Sequence, residues 1–127
     1  MPPIRTWTTD DFRLDPSRPL YEQFVEQMRA MIAKGELEPG TRLPSVREAA
    51  ASLRVNPTTI MKTYQELERL SLIVTHRGQG TFVTQAETAI HASRRLLART
   101  AVAQLQETAA SIGLTLEQLL ALAHEEE

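Results

Sequence analysis

The sequence predicts a mainly α fold with a small β component, in the α+β class, and three observations lead to this class. Two helix-start patterns lie close together, one at Ser45 and the other at Asn56-Pro57. Two short β-prone runs follow, and the tip that separates them contains two glycines. A long segment rich in Ala, Leu, Gln, Glu and Arg, which are strong helix formers, comes last.

The chain before the first helix-start pattern is predicted to form an extended arm and one long helix. Residues 1–17 are expected to be extended, because Phe12 and Leu14 alternate with polar neighbours as in a short edge strand or packed arm. Pro19 opens the helix and Gly35 ends it. We predict no chemistry on this helix, only a core-facing apolar side made of Leu20, Phe24, Val25, Met28, Met31 and Ile32.

The second helix is predicted to start at about Ser45. The Ser45 hydroxyl can accept a hydrogen bond from the opening turn, while Glu48, three residues on, can bond back and complete a capping box. Core positions then recur at helical spacing, at Val46, Ala49, Ala50 and Leu53. The small residues among them allow another helix to cross closely.

A third helix is predicted directly after a tight turn, in which Val55 should plug the core. Asn56 is a favourable N-cap, and Pro57 suits the first helical position because the N–H that it lacks would have no partner there. The expected inward stripe consists of Ile60, Tyr64 and Leu67, continued by Leu70 and Ser71. The two helices and the turn together predict a helix-turn-helix.

Three polar residues near the start of the third helix lie on its other faces: Thr58, Thr59 and Lys62. In helix-turn-helix proteins, this part of the second helix reaches base edges in the major groove. A Thr side chain can contact a base, a phosphate or a thymine methyl, and Lys62 can bind a guanine or a phosphate. Taken alone, the same residues could simply support the helix start and be solvated.

The segment after the third helix predicts a β-hairpin. Residues 73–75 and 81–83 are rich in branched and aromatic side chains, and His-Arg-Gly-Gln-Gly separates them. The glycines permit a tight tip whose backbone can approach a phosphate, and Arg77 adds a charge able to enter a narrow minor groove. In isolation this would be an ordinary surface turn. After a helix-turn-helix it predicts a wing, and thus a winged helix-turn-helix.

The last part of the chain is predicted to form two helices. Residues 86–112 form the first, Gly113 followed by Leu114 suits a left-handed cap, and Thr115 with Gln118 gives a capping box that begins the second. Two helices cannot bury both of their apolar faces, so we expect a two-helix dimerisation segment that pairs with its copy in a homodimer. The alternative is that the pair folds onto its own N-terminal domain.

The predicted domains are therefore residues 1–84, a DNA-binding domain with its N-terminal arm, and residues 85–127, the dimerisation segment. The predicted dimerisation residues are Leu97, Ala101, Leu105, Ile112, Leu116, Leu119 and Leu120.

A series of spaced motifs over residues 20–83 resembles the winged helix-turn-helix domain of the GntR family of bacterial transcription regulators, and the Asn-Pro pair and short tail resemble its YtrA subfamily. The motifs are Tyr21-Glu22-Gln23, Gly35-Glu36-Leu37-Glu38-Pro39-Gly40, Leu43-Pro44-Ser45-Val46-Arg47-Glu48, Val55-Asn56-Pro57-Thr58-Thr59, Tyr64-Gln65-Glu66-Leu67-Glu68 and Arg77-Gly78-Gln79-Gly80-Thr81-Phe82-Val83. Two positions depart from the pattern: Thr58 stands where the subfamily more often has Asn, and Ser71 where a helix-ending Gly is usual. The second departure is expected to lengthen or reshape the helix end.

The resemblance implies a sequence-specific DNA-binding regulator, more specifically a repressor that binds a palindromic double-stranded operator as a homodimer. It implies that Arg47 contacts a phosphate or a guanine, that the start of the third helix lines the major groove, and that Arg77 with Gly78 places the wing. The expected DNA-binding residues are Arg47, Asn56, Pro57, Thr58, Thr59, Lys62, Arg77, Gly78 and Gln79. The alternative is a winged-helix module that binds protein without DNA.

The amino-acid composition narrows the classes of protein and of binding site that remain. The net charge is −2, yet residues 40–83 carry six basic and three acidic side chains, which places positive charge where phosphates would lie. No cysteine is present, which excludes disulfides and thiolate metal sites. No apolar run approaches the roughly 20 residues needed to span a bilayer, and the N-terminus lacks the order of a secretory signal, so a cytoplasmic protein without membrane contact is expected.

The three histidines, His76, His91 and His124, are scattered without a catalytic partner at a recognisable spacing, so neither an enzyme nor a cofactor is expected. Metal binding through His91, or through His124 with residues 125–127, is the weaker alternative to a solvated helix surface and acidic tail. A small-molecule effector remains open. It would sit between the tail helices or at the dimer seam.

Overall fold

The structure is a computed structural model, which describes residues 4–126. It confirms a mainly α fold with a small antiparallel sheet. A short 3-10 helix at Thr9–Asp11 precedes the main elements, which are α1 (Leu20–Lys34), β1 (Arg42–Leu43), α2 (Val46–Leu53), α3 (Pro57–Arg69), β2 (Ile73–His76), β3 (Gly80–Val83), α4 (Glu87–Ser111) and α5 (Leu116–Ala123). The chain divides into two compact units, one that ends at Ser93 and one that begins at Arg94.

In the first unit, α1, α2 and α3 enclose one core. The apolar side of α1 is buried as predicted, with Phe24 and Met28 fully inaccessible to solvent, and Gly35 ends the helix at φ 84°. Ala49 on α2 is also fully buried, which allows α3 to cross closely. The predicted α3 stripe of Ile60, Tyr64 and Leu67 is buried as well.

The end of α3 differs from the prediction. Ser71 does not continue the inward stripe, because α3 ends at Arg69 and the Ser71 side chain is exposed. Ser71 adopts a left-handed backbone conformation with φ 62°, which a glycine would adopt with less strain. The serine in place of glycine therefore does not lengthen α3. Ser71 itself adopts the left-handed conformation that follows the end of the helix.

The N-terminal arm packs on the core through a residue that the sequence reading did not single out. Trp7 is 1% exposed, and its indole Nε1 donates a hydrogen bond to the Tyr64 hydroxyl at 3.2 Å. Its ring is 5.4 Å from that of Phe12, which contacts Phe24 in a T-shaped pair. The packed arm is thus confirmed, but the 3-10 helix interrupts its extended course and Leu14 is 41% exposed. Residues 1–3 of the predicted arm lie outside the described residues.

The sheet has one strand more than the predicted hairpin. β3 lies in the centre of the order β1-β3-β2, and both of its neighbours are antiparallel to it. Leu43, Ile73 and Val83 are buried on one side of the sheet. β1 has only two residues, too few for an alternating pattern to mark it as a strand in the sequence.

The second unit consists of the rest of α4 and of α5, joined as the sequence predicts. Gly113 forms the left-handed turn at φ 77°, and the Thr115–Gln118 capping box is present. Ala109 is fully buried under this turn, where the Leu114 N–H donates to the Ala109 carbonyl oxygen at 2.8 Å. No helix within residues 4–126 combines the length and hydrophobicity needed to span a membrane.

Most of the predicted dimerisation residues lie at the surface of this unit. Leu105 is 43% exposed, Ile112 58% and Leu120 48%, and the Ala101 side chain is exposed as well. Leu97, Leu116 and Leu119 are half-buried. The unit therefore leaves a large part of its apolar surface accessible to solvent.

Candidate nucleic-acid interface

The first turn of α2 is held by the predicted capping box. The Glu48 N–H donates to the Ser45 hydroxyl at 3.1 Å, and the Ser45 N–H donates back to the Glu48 carboxylate at 3.2 Å. The bond from the Ser45 backbone is the main reason that the pKa of Glu48 lies below its ordinary value. Arg47 projects from this turn with an exposed side chain. The capping box therefore fixes the backbone of the turn from which the exposed Arg47 side chain projects.

The turn between α2 and α3 depends on a non-glycine residue in the left-handed region. Arg54 caps α2 with φ 57° and ψ 45°, and the next N–H, that of Val55, donates to the Ala50 carbonyl at 3.1 Å. Val55 packs half-buried against the core, as predicted. The turn thus fixes the direction in which α3 starts.

The start of α3 is capped by Asn56, whose Oδ1 accepts a hydrogen bond from the Thr58 N–H at 2.9 Å, and Pro57 occupies the first helical position. The Asn56, Pro57, Thr58 and Lys62 side chains are exposed, whereas that of Thr59 is half-buried. The structure thus presents most of the predicted groove-lining residues to solvent. Because a helix rotates about 100° per residue, Thr58 and Lys62 share one side.

Two residues on that side were missed by the sequence reading. Met61 is 46% exposed and Gln65 is exposed, and their spacing from Thr58 places them on the same helix face. The three-residue spacing from Thr58 to Met61 could have revealed this, but Met61 reads equally well as core. The α3 surface thus combines a hydroxyl, a thioether, an ammonium and an amide.

The Lys62 ammonium has a partner on α1. Its Nζ lies 5.7 Å from the centroid of the Tyr21 ring, within the range of a cation–π contact. The Lys62 ammonium therefore lies beside the first turn of α1.

The wing tip consists of Arg77, Gly78 and Gln79, all exposed. The Gln79 N–H donates to the His76 carbonyl at 2.9 Å, and Gly78 has φ 79°, so the tip is a tight turn that requires its glycine. Below the tip, the Thr75 and Thr81 hydroxyl oxygens lie 3.3 Å apart across the two strands. The wing tip therefore extends from two strands, β2 and β3, that are paired up to the tip.

The positive charges of this surface are not neutralised locally. Arg69, at the far end of α3, pairs with Glu66 through Nε and Oε2 at 2.9 Å. Within the described part of the chain, Arg47, Arg54, Lys62 and Arg77 have no carboxylate oxygen within 4 Å. The cations near the α3 start and the wing are therefore available to an anionic partner.

His76 and an open hollow lie on the strands of the wing. Across residues 4–126, no three His, Asp or Glu side chains are close enough together to hold a metal ion. His76 lies 5.6 Å from the Phe82 ring, an aromatic contact on the sheet. An open hollow of about 340 Å³ includes His76 in its lining, together with residues such as Val74, Gln79 and Phe82.

Comparison with known proteins identifies the family. The family described as bacterial regulatory proteins, gntR family, matches residues 20–83. The chain belongs to the GntR family. GntR proteins are DNA-binding transcription regulators and not enzymes, so this chain is a DNA-binding transcription regulator. The predicted family and the prediction of a DNA-binding transcription regulator are confirmed.

Relatives of this GntR protein match over nearly its whole length. It is 40% identical over 110 residues to the HTH-type transcriptional repressor YtrA of Bacillus subtilis, across 84% of this chain and 85% of the relative. It is 38% identical over 110 residues to YhcF, an uncharacterised HTH-type regulator of the same organism, across 87% of this chain and 91% of the relative. The predicted likeness to YtrA is confirmed.

Solved structures agree with this assignment. A GntR family transcriptional regulator from Listeria monocytogenes has a TM-score of 0.80 at 34% identity, and covers 90% of this chain and 100% of its own. YtrA from Sulfolobus acidocaldarius, a GntR-family transcription factor, has a TM-score of 0.57 at 34% identity, across 73% of this chain and 81% of its own.

Proposed function

We propose that this GntR regulator binds a palindromic operator as a homodimer and acts as a repressor, in the cytoplasm together with the DNA that it binds. The observation that carries the proposal is the joint presentation, on one unit, of an exposed polar α3 start and a glycine wing beside unpaired cations. The relative named as a repressor, YtrA, supports the direction of regulation.

The proposed contacts divide into two kinds. Thr58 and Lys62 are exposed on one side of α3 and Asn56 and Pro57 at its start, where winged helices enter the major groove. Arg47 and the wing tip at 77–79 contribute contacts to backbone and minor groove. Thr59 is half-buried, so it supports the helix start, and its methyl or hydroxyl group contacts the DNA at the edge of the α3 surface. Base contacts should set the sequence preference and phosphate contacts the affinity.

The proposed dimer forms through residues 85–127. The exposed Leu105, Ile112 and Leu120 side chains provide the apolar surface that a second copy would cover. Two α3 helices held about one DNA turn apart would then bind inverted half-sites. A small-molecule effector at the dimer seam would act by changing that spacing, and thermal-shift screening with metabolites and antibiotics tests for one.

The experiment is a selection of duplexes from a random library by the purified protein, followed by anisotropy titrations of the selected duplex. We expect Thr58→Ala to change the preferred base at one position of each half-site, at a cost of about 1–3 kcal/mol. Arg47→Ala should weaken binding at about 150 mM salt. The control, Thr9→Ala, removes an exposed threonine of the N-terminal arm and should bind like the parent. If Arg47→Ala and Thr58→Ala both bind like the parent, the proposed site is wrong.

A further inference from the structure

One cationic side chain outside the predicted DNA-binding set lies at the base of the wing. Arg42 belongs to β1, pairs with Phe82 of β3 and is half-buried. Its Nε lies 2.9 Å from the position that a Cβ atom would occupy on Gly80, and its guanidinium carbon lies 3.4 Å from that position. The Arg42 guanidinium therefore packs directly against the Gly80 backbone.

Gly80 thus has a second role besides its backbone conformation. Its φ of 123° is one that side chains rarely permit, and the absence of a side chain also leaves the space that the Arg42 guanidinium fills. Gly78, at the tip, has no atom within 4 Å of the corresponding position, so the two wing glycines differ. Of these two glycines, only Gly80, at the base of the wing, is packed against an arginine side chain.

The electrostatic surroundings leave this guanidinium available. Among residues 4–126, no carboxylate oxygen lies within 4 Å of Arg42. After the hydrogen bonds from Ser45, the charge of Arg42 also helps to hold the pKa of Glu48 below its ordinary value. Arg42 is therefore close to both the wing base and the first turn of α2, which carries Arg47. Its positive charge adds to that of Arg47 and Arg77, the two predicted arginine contacts.

We propose that Arg42 is a further DNA-contacting residue, whose guanidinium binds a backbone phosphate beside the wing. The inference rests on the proposed DNA-binding site. A guanidinium suits this role because its planar N–H donors match phosphate oxygens in pairs. Contact with Gly80 already restricts the side chain, so less conformational entropy is lost on binding. Phosphate contacts fix orientation without reading sequence, so Arg42 positions the wing on the duplex.

The test compares Arg42→Gln with Arg69→Gln, a matched control at an arginine that is ion-paired with Glu66. Anisotropy titrations use the selected duplex and a scrambled duplex over a series of salt concentrations. We expect Arg42→Gln to weaken binding to both duplexes by about fivefold to tenfold, and to lower the slope of log affinity against log salt by about 0.9. Arg69→Gln should match the parent, and Arg42→Lys should recover the salt slope. Thermal unfolding checks that each variant is folded.

The outcomes separate this inference from the proposed function. If Arg42→Gln keeps the parent's affinity and salt slope while Arg47→Ala and Thr58→Ala lose affinity, the Arg42 inference is overturned and the proposed site stands. A loss confined to the selected duplex would also overturn it, because it would make Arg42 a base contact. If the parent itself does not prefer the selected duplex, the proposed function fails, and the inference fails with it.

Discussion

The two units of this protein differ in how far they bury their apolar side chains. Up to Ser93, the large apolar side chains of three helices, an arm and a sheet meet in one core, and Trp7, Phe24 and Leu67 are no more than 1% exposed. From Arg94 onward, leucines that are more than 40% exposed lie on both helices. The first unit buries most of its large apolar side chains within its own core. The second unit leaves apolar side chains exposed on both of its helices, a surface to which another protein chain could bind.

We propose that this difference divides DNA binding and association between the two units. A rigid, self-sufficient core holds α3 and the wing in fixed positions, which a DNA-binding surface requires. Apolar surface left open on a two-helix unit has no such role, because each exposed leucine costs about 25 cal/mol for every Å² that stays in contact with water. We therefore expect substitutions in the two units to have different consequences, one for folding and the other for association.

The largest effect is expected from a truncation in the first unit. Phe24→Ala removes a fully buried ring that contacts Phe12 and leaves a cavity, so the free energy of unfolding should fall by about 3–5 kcal/mol. Urea denaturation followed by circular dichroism measures this loss. The matched truncation in the second unit, Leu105→Ala, should change the first unit's unfolding little. Equal losses would remove the distinction between the units.

A smaller effect is expected from a charge in the second unit. Leu105→Arg would place an unpaired guanidinium in the proposed dimer interface, and should raise the dissociation constant of the dimer by about a hundredfold or more, about 2.8 kcal/mol. Sedimentation equilibrium measures this constant. Ala103→Arg adds the same charge on roughly the opposite side of α4 and serves as the control. A dimer that tolerates Leu105→Arg as well as the control would show that this leucine lies outside the interface.

A third effect concerns the join between the N-terminal arm and the helices. The Tyr64 hydroxyl donates to the Pro44 carbonyl at 2.9 Å and accepts from Trp7, so Tyr64→Phe leaves two buried groups without a partner. The free energy of unfolding should fall by about 1–3 kcal/mol at neutral pH. Equilibrium urea unfolding of the two proteins measures the loss.

The same pair of proteins gives a dependence on pH. Burial raises the pKa of Tyr64 from its ordinary value of 10 to about 12. Because the folded state resists deprotonation, the stabilisation is complete below pH 10 and is lost as the pH rises toward 12, by an amount on the order of 3 kcal/mol. Tyr64→Phe should show less of this alkaline loss than the parent. Identical alkaline profiles would mean that Tyr64 ionises as freely in the folded protein as in the unfolded one.

The smallest effect concerns the backbone after α3. Ser71→Gly relieves a left-handed conformation at φ 62° and should raise the free energy of unfolding by up to about 1 kcal/mol. Gly35→Ala tests the converse at the end of α1, where φ is 84° and space is open, and should lower it by about 1 kcal/mol. Thermal unfolding resolves both changes. A destabilising Ser71→Gly would mean that the serine makes a compensating contact.

Local signals in the sequence predicted most of the fold. The capping boxes at Ser45 and Thr115 and the cap at Asn56 place helix starts to within a residue, because each depends on residues only two or three positions apart. The extra strand β1 and the buried Trp7 were not predicted. Both depend on contacts distant in sequence, such as that from Trp7 to Tyr64, which no local pattern records.

The candidate site shows the same limit. Exposed residues at the α3 start follow from helical spacing, so Thr58 and Lys62 could be singled out. The approach of Arg42 to Gly80 and the position of the Lys62 ammonium over Tyr21 depend on how separate elements pack. The sequence therefore predicted which residues are exposed at the α3 start more fully than it predicted where the cations lie.

The most direct test of the division between the two units is the stoichiometry and symmetry of the DNA complex. Duplexes selected from a random library by the purified chain should contain two inverted half-sites about one helical turn apart, and sedimentation of the complex should give two chains per duplex. Leu105→Arg should bind the same half-sequence more weakly, as one chain. Selection of a single half-site bound by one parent chain, or no enrichment of any sequence, would contradict the account.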